Sequence, residues 1–437
     1  MTSLIPLYGG NLETWLGGQR WFRSKSRPLR EVGVRDFFEL DEATGFLVIA
    51  ASFDDDREER YLVPAVSMAE SPREPADGDG LWRAVIAAMA DGPRILSSSE
   101  GRLALKPRPP LAKLLPGGIP EASQLTERSM GVEQSNTAVA LGDRLLLKIY
   151  RLLEPGINPE VEVLAFLTEQ GFAHAPLAVG SMRYVPTDAE PATAGVIQSL
   201  VPAHGDGWAW MLAHLERPAA DPQAAILAAS GIGAVTVALH EALQSDPDRP
   251  DFPSRPARVE ERRAWQAAAE GELDAALAAL PATERPRLAI LADSARAAFE
   301  AMTAAPAAWC ARIHGDYHLG QLLVTDEGFV VTDFEGEPAR PLAERRRPAS
   351  PLRDVAGMLR SLDYVARTVQ RRQPGFDADD WLNAARTAFL TAYGEPAEPS
   401  LLRAFELEKA CYEVRYEANF RPDWSWLPLD AIERMVA

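Results

Sequence analysis

Residues 312–337, RIHGDYHLGQLLVTDEGFVVTDFEGE, constrain the fold of this chain more than any other stretch. Two apolar runs, Gln321–Thr325 and Phe329–Thr332, flank a polar Asp326-Glu327-Gly328 turn, the pattern of a short hairpin. Asp316 and Gln321 lead into the first strand, and Asp333 follows the second. A hairpin closed at that turn returns all three side chains to its open end. Two carboxylates and an amide gathered in a folded chain are costly unless a cation or a proton donor joins them.

Phosphoryl transfer uses such a group. One Asp orients the attacking hydroxyl and takes its proton, while an amide oxygen and a second carboxylate hold magnesium against the phosphates. Gln321 follows Asp316 by five positions, the step between the catalytic Asp and the metal-binding Asn of kinases. Asp316 is thus the expected catalytic residue, with Gln321 and Asp333 as the expected metal ligands. Gln in place of Asn is a departure, one methylene longer but still offering an oxygen. His314 and His318 flank Asp316, and His-x-Asp-x-His alone also suits zinc or iron in a hydrolase. No further His lies in a compatible motif: His174, His204, His214 and His240 are scattered. His314 is therefore expected to brace the loop, and His318 to brace it or to face substrate.

The rest of the chain surrounds this hairpin with two kinds of structure. Residues 1–90 read as a small α+β unit: a helical pattern from Asn11 to Arg23, strand-like runs at Glu31–Leu40, Thr44–Phe53 and Glu59–Met68, and a short helix at Trp82–Met89. Residues 91–203 hold short strands at Arg102–Lys106, Ala122–Leu125, Asn136–Leu141 and Arg144–Ile149, and a linking strand from Gly195 to Val201. Asn158-Pro159-Glu160 opens a helix in this segment, with Asn158 as its cap. From about residue 204 to 437 helical periodicity prevails, at 221–246, 256–281, 284–305, 353–372, 378–393 and 398–420. Asp354 is expected to cap the helix that starts beside it. A β-rich lobe, a linking strand and a helical lobe make a bilobal plan.

Composition limits the partners. The formal net charge is −18, which argues against nucleic acid and gives no reason to expect an anionic membrane. Two cysteines, Cys310 and Cys411, exclude a disulfide framework and read as buried thiols. No basic region followed by an apolar run opens the chain, and no stretch approaches a membrane span, so a cytoplasmic protein is expected. A monomer is the expected state.

Four further segments extend the reading: Gly131-Val132-Glu133-Gln134-Ser135-Asn136-Thr137; Leu147-Lys148-Ile149-Tyr150 with Pro155-Gly156-Ile157-Asn158-Pro159-Glu160; Ser350-Pro351-Leu352-Arg353-Asp354-Val355-Ala356-Gly357-Met358; and Tyr412-Glu413-Val414, Tyr416-Glu417-Ala418 and Arg421-Pro422-Asp423-Trp424. Together with the hairpin they resemble the aminoglycoside phosphotransferase and choline kinase group, and more closely the bacterial maltokinases and maltokinase-like sugar kinases. The resemblance implies an α+β, bilobal, eukaryotic protein kinase-like fold. Residues 1–90 would form an N-terminal cap subdomain, 91–203 the nucleotide-binding lobe and 204–437 the helical C-lobe. It implies ATP and magnesium as cofactors. Lys148 would reach the ATP phosphates, held by Glu162, with Glu160 as the alternative. Ser135 and Asn136 would lie at the phosphate loop, and Gln198 and Val201 at the adenine.

Along the C-terminal helix, steps of three and four put Lys409, Tyr412, Glu413, Tyr416 and Phe420 on one face, a stripe that mixes charge and aromatics. In such kinases the C-terminal helices supply acceptor contacts. The sugar site is accordingly expected at Asp316, Gln321, Glu335, Tyr412, Glu413, Tyr416, Arg421 and Trp424. Glu337 stands beside it, read either as part of the site or as a solvated charge. Ser425-Trp426 separates Trp424 from Leu427-Pro428, and a second Trp would shorten the pocket toward a monosaccharide. Surplus carboxylates would suit an ammonium group. The chain also resembles the actinobacterial glucosamine kinases, so glucosamine is the expected acceptor, with glucosamine 6-phosphate as product. Maltose is the alternative, and an aminoglycoside the remote one.

Overall fold

A computed structural model describes residues 12–66, 73–131, 136–216, 221–246 and 248–436. The chain divides into two compact units, one of Met1–Glu169, Pro176–Pro202 and Arg340–Glu344, the other of Gln170–Ala175, Ala203–Ala339 and Arg345–Ala437.

The first unit starts with α1 (Leu12–Gly18) and an antiparallel sheet of β1 (Leu29–Glu39), β2 (Thr44–Phe53) and β3 (Glu58–Val66). Side chains alternate between the two faces of a strand, and both faces of β2 are used. Leu47, Ile49, Ala51 and Phe53 pack with Leu16, Trp21, Phe22 and Tyr61. Phe46 and Val48 point the other way, into a core shared with α2 (Leu81–Ala90) and a second sheet. That sheet has seven strands: β4 (Arg94–Ser97), β5 (Gly101–Pro107), β6 (Glu127–Ser129), β7 (Asn136–Leu141), β8 (Leu145–Tyr150), β9 (Ala178–Pro186) and β10 (Ala192–Ser199). Their spatial order is β4-β5-β9-β10-β8-β7-β6. The cap sheet and the second sheet therefore share one hydrophobic core.

Three helices complete the unit: α3 (Pro110–Leu114), α4 (Gly118–Ala122) and α5 (Pro159–Glu169). Asn158 caps α5 as expected, its Oδ1 accepting the Glu160 N–H at 2.9 Å. Ala122–Leu125, expected as a strand, instead ends α4, where Pro120 supports a helical φ. β9 was invisible to periodicity because Gly180, Ser181 and Arg183 dilute its apolar pattern. Gly180 has a packing reason: a Cβ there would lie 2.3 Å from Met89 Cε.

The second unit is mostly helical. It contains α6 (Gly207–Glu216), α7 (Pro222–Leu243), α8 (Val259–Ala279), α9 (Arg285–Ala289) and α10 (Ala292–Ala304). A two-residue ladder joins β11 (Arg255–Pro256) to β12 (Trp309–Cys310). The expected hairpin follows as β13 (Leu322–Thr325) and β14 (Gly328–Val331), with Leu322 opposite Val331. α11 (Leu342–Arg345) falls almost wholly in the Arg340–Glu344 segment of the first unit, and after it the second unit continues with α12 (Leu352–Arg372), α13 (Ala378–Tyr393), α14 (Pro399–Phe420) and α15 (Trp426–Val436). The expected helix 284–305 is two helices, α9 and α10, separated at Ile290 and Leu291.

One expectation fails outright. α7 is 22 residues long and apolar enough to cross a membrane by length and composition. In this fold it serves as a core helix, packed on α13 and contributing buried Thr236 and His240 to the loop described next. Cys310 and Cys411 are buried free thiols, and burial pushes Cys310 up to about 11.

Candidate active site

The catalytic loop is held from beneath by Asp354. This residue lies inside α12, not at its cap, and is 1% exposed. Its carboxylate accepts the N–H groups of His314 at 2.8 Å and Gly315 at 2.9 Å. His240 Nε2 approaches it at 3.2 Å. Burial pushes the carboxyl up, but His240 and the Gly315 N–H outweigh it and hold the group below the usual carboxylate range. The cap expected for Asp354 is thus replaced by a brace.

Other groups fix the same loop. The Leu319 N–H donates to Ser361 Oγ at 3.1 Å, and the Tyr317 hydroxyl meets that of Thr236 at 3.0 Å. Gly357 of α12 permits this approach, since a Cβ there would lie 2.5 Å from the Tyr317 carbonyl oxygen. His314 Nδ1 accepts the Asp316 N–H at 3.3 Å. The proton of its neutral ring is therefore on Nε2, which donates to the Thr332 carbonyl at 2.9 Å. His318 Nδ1 accepts the Gly320 N–H at 3.0 Å, and burial lowers its basicity against the opposing pull of Asp316. Both rings are engaged by the backbone as braces.

The hairpin brings Gln321 and Asp333 together, with Gln321 Nε2 donating to Asp333 Oδ2 at 3.2 Å. Asp333 has φ +63°, a left-handed conformation costly for a residue with a Cβ and characteristic of functional sites. Carboxylate oxygens of Asp333 and Glu335 come within 4.8 Å of each other. With the Gln321 amide turned to present Oε1, these three side chains fit a hard divalent cation.

α14 brings a cation and aromatic rings to the Asp316 loop. Lys409 Nζ lies 3.4 Å from Asp316 Oδ1 and 3.3 Å from Glu337 Oε2. Burial disfavours its charge, but Asp316 and Glu337 prevail and raise its pKa above the ordinary lysine value. The Tyr412 hydroxyl donates to Glu337 Oε1 at 2.8 Å. Glu337 is therefore part of the site. Tyr416 joins through Tyr412, with ring centroids 6.3 Å apart. Arg421 covers Tyr416 at 5.6 Å and Trp424 at 5.7 Å, so Arg421 and Trp424 connect to the cluster only at its far end.

Glu413 accepts two bonds from Arg360 on its Oε2, at 2.8 and 2.9 Å. Trp426 and Trp424 flank Arg371, at 5.7 and 5.9 Å. Lys409 stood in the stripe read from α14, yet its link to Asp316 carried no local signal.

In the first unit, Lys148 Nζ lies 3.2 Å from Glu160 Oε2, and both side chains are buried. Tyr150 Oη donates to the same carboxylate at 2.6 Å. The alternative partner, Glu160, thus takes the place expected of Glu162. Asn136 opens β7 opposite Tyr150. Gln198 lies near the end of β10 and Val201 just beyond it. Ser135 lies outside the described residues.

Comparison with known proteins agrees with this arrangement. The phosphotransferase enzyme family matches residues 125–399, and the maltokinase N-terminal cap domain matches residues 15–96. A glucosamine kinase of Streptacidiphilus jiangxiensis is 29% identical over 391 residues, covering 84% of this chain and 84% of the relative. A glucosamine kinase of Mycolicibacterium smegmatis is 29% identical over 394 residues, covering 86% of this chain and 92% of the relative. Among solved structures, a glucosamine kinase in complex with glucosamine, ADP and inorganic phosphate matches with a TM-score of 0.74 at 25% identity, covering 98% of this chain and 99% of that one. The expected kinase-like plan, with a capped sheet region and a helical C-terminal region, is the one observed. The chain belongs to the phosphotransferase enzyme family.

Proposed function

We propose that this phosphotransferase is an ATP- and magnesium-dependent sugar kinase that converts glucosamine to glucosamine 6-phosphate. The relatives named above support the acceptor, and one observation in this chain carries it. Asp316 and Glu337 share one ammonium, that of Lys409. Two carboxylates against one cation leave one negative charge, which the ammonium of an amino sugar offsets and a neutral disaccharide does not.

Asp333, Gln321 and Glu335 are the residues that would hold magnesium. When bound, the ion supplies charge neutralisation at the phosphates. Asp316 orients the acceptor hydroxyl and takes its proton as the new P–O bond forms and the bond from the γ-phosphorus to the ADP oxygen breaks, ADP leaving. Lys409 and the loop braces keep that carboxylate in position. Lys148, held by Glu160, offers its ammonium to the phosphates.

The test is ADP release from magnesium-ATP with glucosamine, maltose, glucose and an aminoglycoside. Glucosamine is expected to be turned over with the highest kcat/KM. Turnover of maltose and not of glucosamine would overturn the acceptor while leaving the phosphotransferase chemistry intact.

A further inference from the structure

Within the first unit, β7, β8 and β10 present one continuous face in two rows. Residues paired across antiparallel strands project to the same face. Lys148 is paired with Ala138 on one side and Val196 on the other. Two residues along, roughly 7 Å away, Leu146 is paired with Ala140 and Gln198. The opposite face carries Val139, Leu141, Leu147, Ile149 and Ile197, all committed to the hydrophobic core.

The first row thus offers a cation held by Glu160, and the second is an apolar floor with one polar side chain. Ala138 and Ala140 keep that floor low. Gln198 is 5% exposed, and its Oε1 is buried with no hydrogen-bond partner among the described residues. A buried amide oxygen left unpaired destabilises the protein by itself, so it marks a place where a ligand donor completes the bonding.

We infer that the Gln198 side chain is a specificity-determining residue for the nucleotide base, its Oε1 accepting a hydrogen bond from the exocyclic 6-amino group of adenine. The inference rests on the proposal that Lys148 binds ATP phosphates, and it concerns the side chain at a position whose backbone was expected to serve the base. A purine carrying hydrogen or oxygen at position 6 offers no donor there. Methionine at 198 matches glutamine in length and removes the acceptor.

Calorimetric titration of wild type and Gln198→Met with the magnesium complexes of ATP and purine riboside triphosphate, which lacks only the amino group, tests this without any acceptor. Wild type is expected to bind ATP about five- to tenfold more tightly, the factor of one neutral hydrogen bond. Q198M is expected to bind the two equally, and to melt at the same temperature or higher, because no bond within the protein is lost. A Q198M variant that keeps the wild-type ratio overturns the inference, as does a wild-type ratio near one. So does a lowered melting temperature with both nucleotides weakened alike, which is the signature of a structural role. Wild type that shows the 6-amino preference yet turns over no glucosamine upholds the role of Gln198 and refutes the acceptor. Wild type that binds neither nucleotide refutes both.

Discussion

Replacing Asp354 by Asn keeps the shape of the brace and removes its charge. The carboxylate accepts from two backbone N–H groups, at 2.8 and 2.9 Å, and is approached by His240 at 3.2 Å. An amide has one accepting oxygen, so its NH2 group must face one of the two backbone donors. The lost bond went to a charged group, worth about 1.5–3 kcal/mol, and a buried donor is left unsatisfied. Together these put the cost at about 2–5 kcal/mol. For a unit of this size that lowers Tm by roughly 5–15 °C. The loop carrying Asp316 shifts with its brace, and a displacement of about 1 Å costs about a hundredfold in kcat. Calorimetry with steady-state kinetics reads both effects.

The pH dependence has a definite sign. Asp354 is depressed in the folded protein, so its contribution is present above the unfolded carboxylate value and is lost as pH falls through the lower folded value. The Tm gap between wild type and D354N is therefore expected to narrow as pH drops below the ordinary carboxylate range. A D354N variant with unchanged Tm and kcat, or a gap that widens in acid, would refute the bracing role.

Asp316→Asn is expected to retain magnesium-ATP binding by calorimetry while kcat falls about a hundred- to ten-thousandfold, the range for removal of a general base. Lys409→Met leaves Asp316 and Glu337 without their shared cation; KM for glucosamine is expected to fall, KM for glucose to stay level, and kcat to drop about tenfold with both. Equal KM changes for the two sugars would count against charge matching. Arg360→Met strands the buried carboxylate of Glu413 and leaves Asp363 to Arg367 and Arg434, which is expected to cost about 3–5 kcal/mol in urea unfolding. Arg360→Met combined with Glu413→Leu is expected to recover part of that loss.

The catalytic hairpin was legible because everything defining it is local: two apolar runs, a Gly-containing turn, and polar residues at the open end. Its partner in space was not. Asp354 lies 40 residues from His314, and beside a helix start a local reading offers only a cap. The choice between Glu160 and Glu162 has the same character. Both lie in the first turn of α5, and which one meets Lys148 depends on how that helix sits over β8. On α14 the stripe Lys409, Tyr412, Glu413, Tyr416 and Phe420 was read as one surface. Adjacent helical residues are about 100° apart, so a stripe that wide has two edges. Lys409 and Tyr412 form the edge toward Asp316 and Glu337, while Glu413 and Glu417 form the edge toward Arg360 and Tyr364 of α12. Periodicity finds the stripe, and only packing divides it.

That division explains why so much charge is buried behind the acceptor site. Arg360 bridges Glu413 of α14 and Asp363 of its own helix, and Asp363 also receives Arg434 of α15 at 2.8 Å. Buried ion pairs add little net stability against an apolar replacement, because desolvation cancels most of the attraction. They do fix direction, since a bidentate guanidinium tolerates few orientations. With Glu413 pinned to Arg360, α14 cannot roll about its axis without breaking two charged hydrogen bonds. Its other edge is then held where Lys409 and Tyr412 meet Asp316 and Glu337. Whatever Glu413 contributes to the sugar, its ion pair with Arg360 also sets the angle of the helix edge that carries Lys409 and Tyr412.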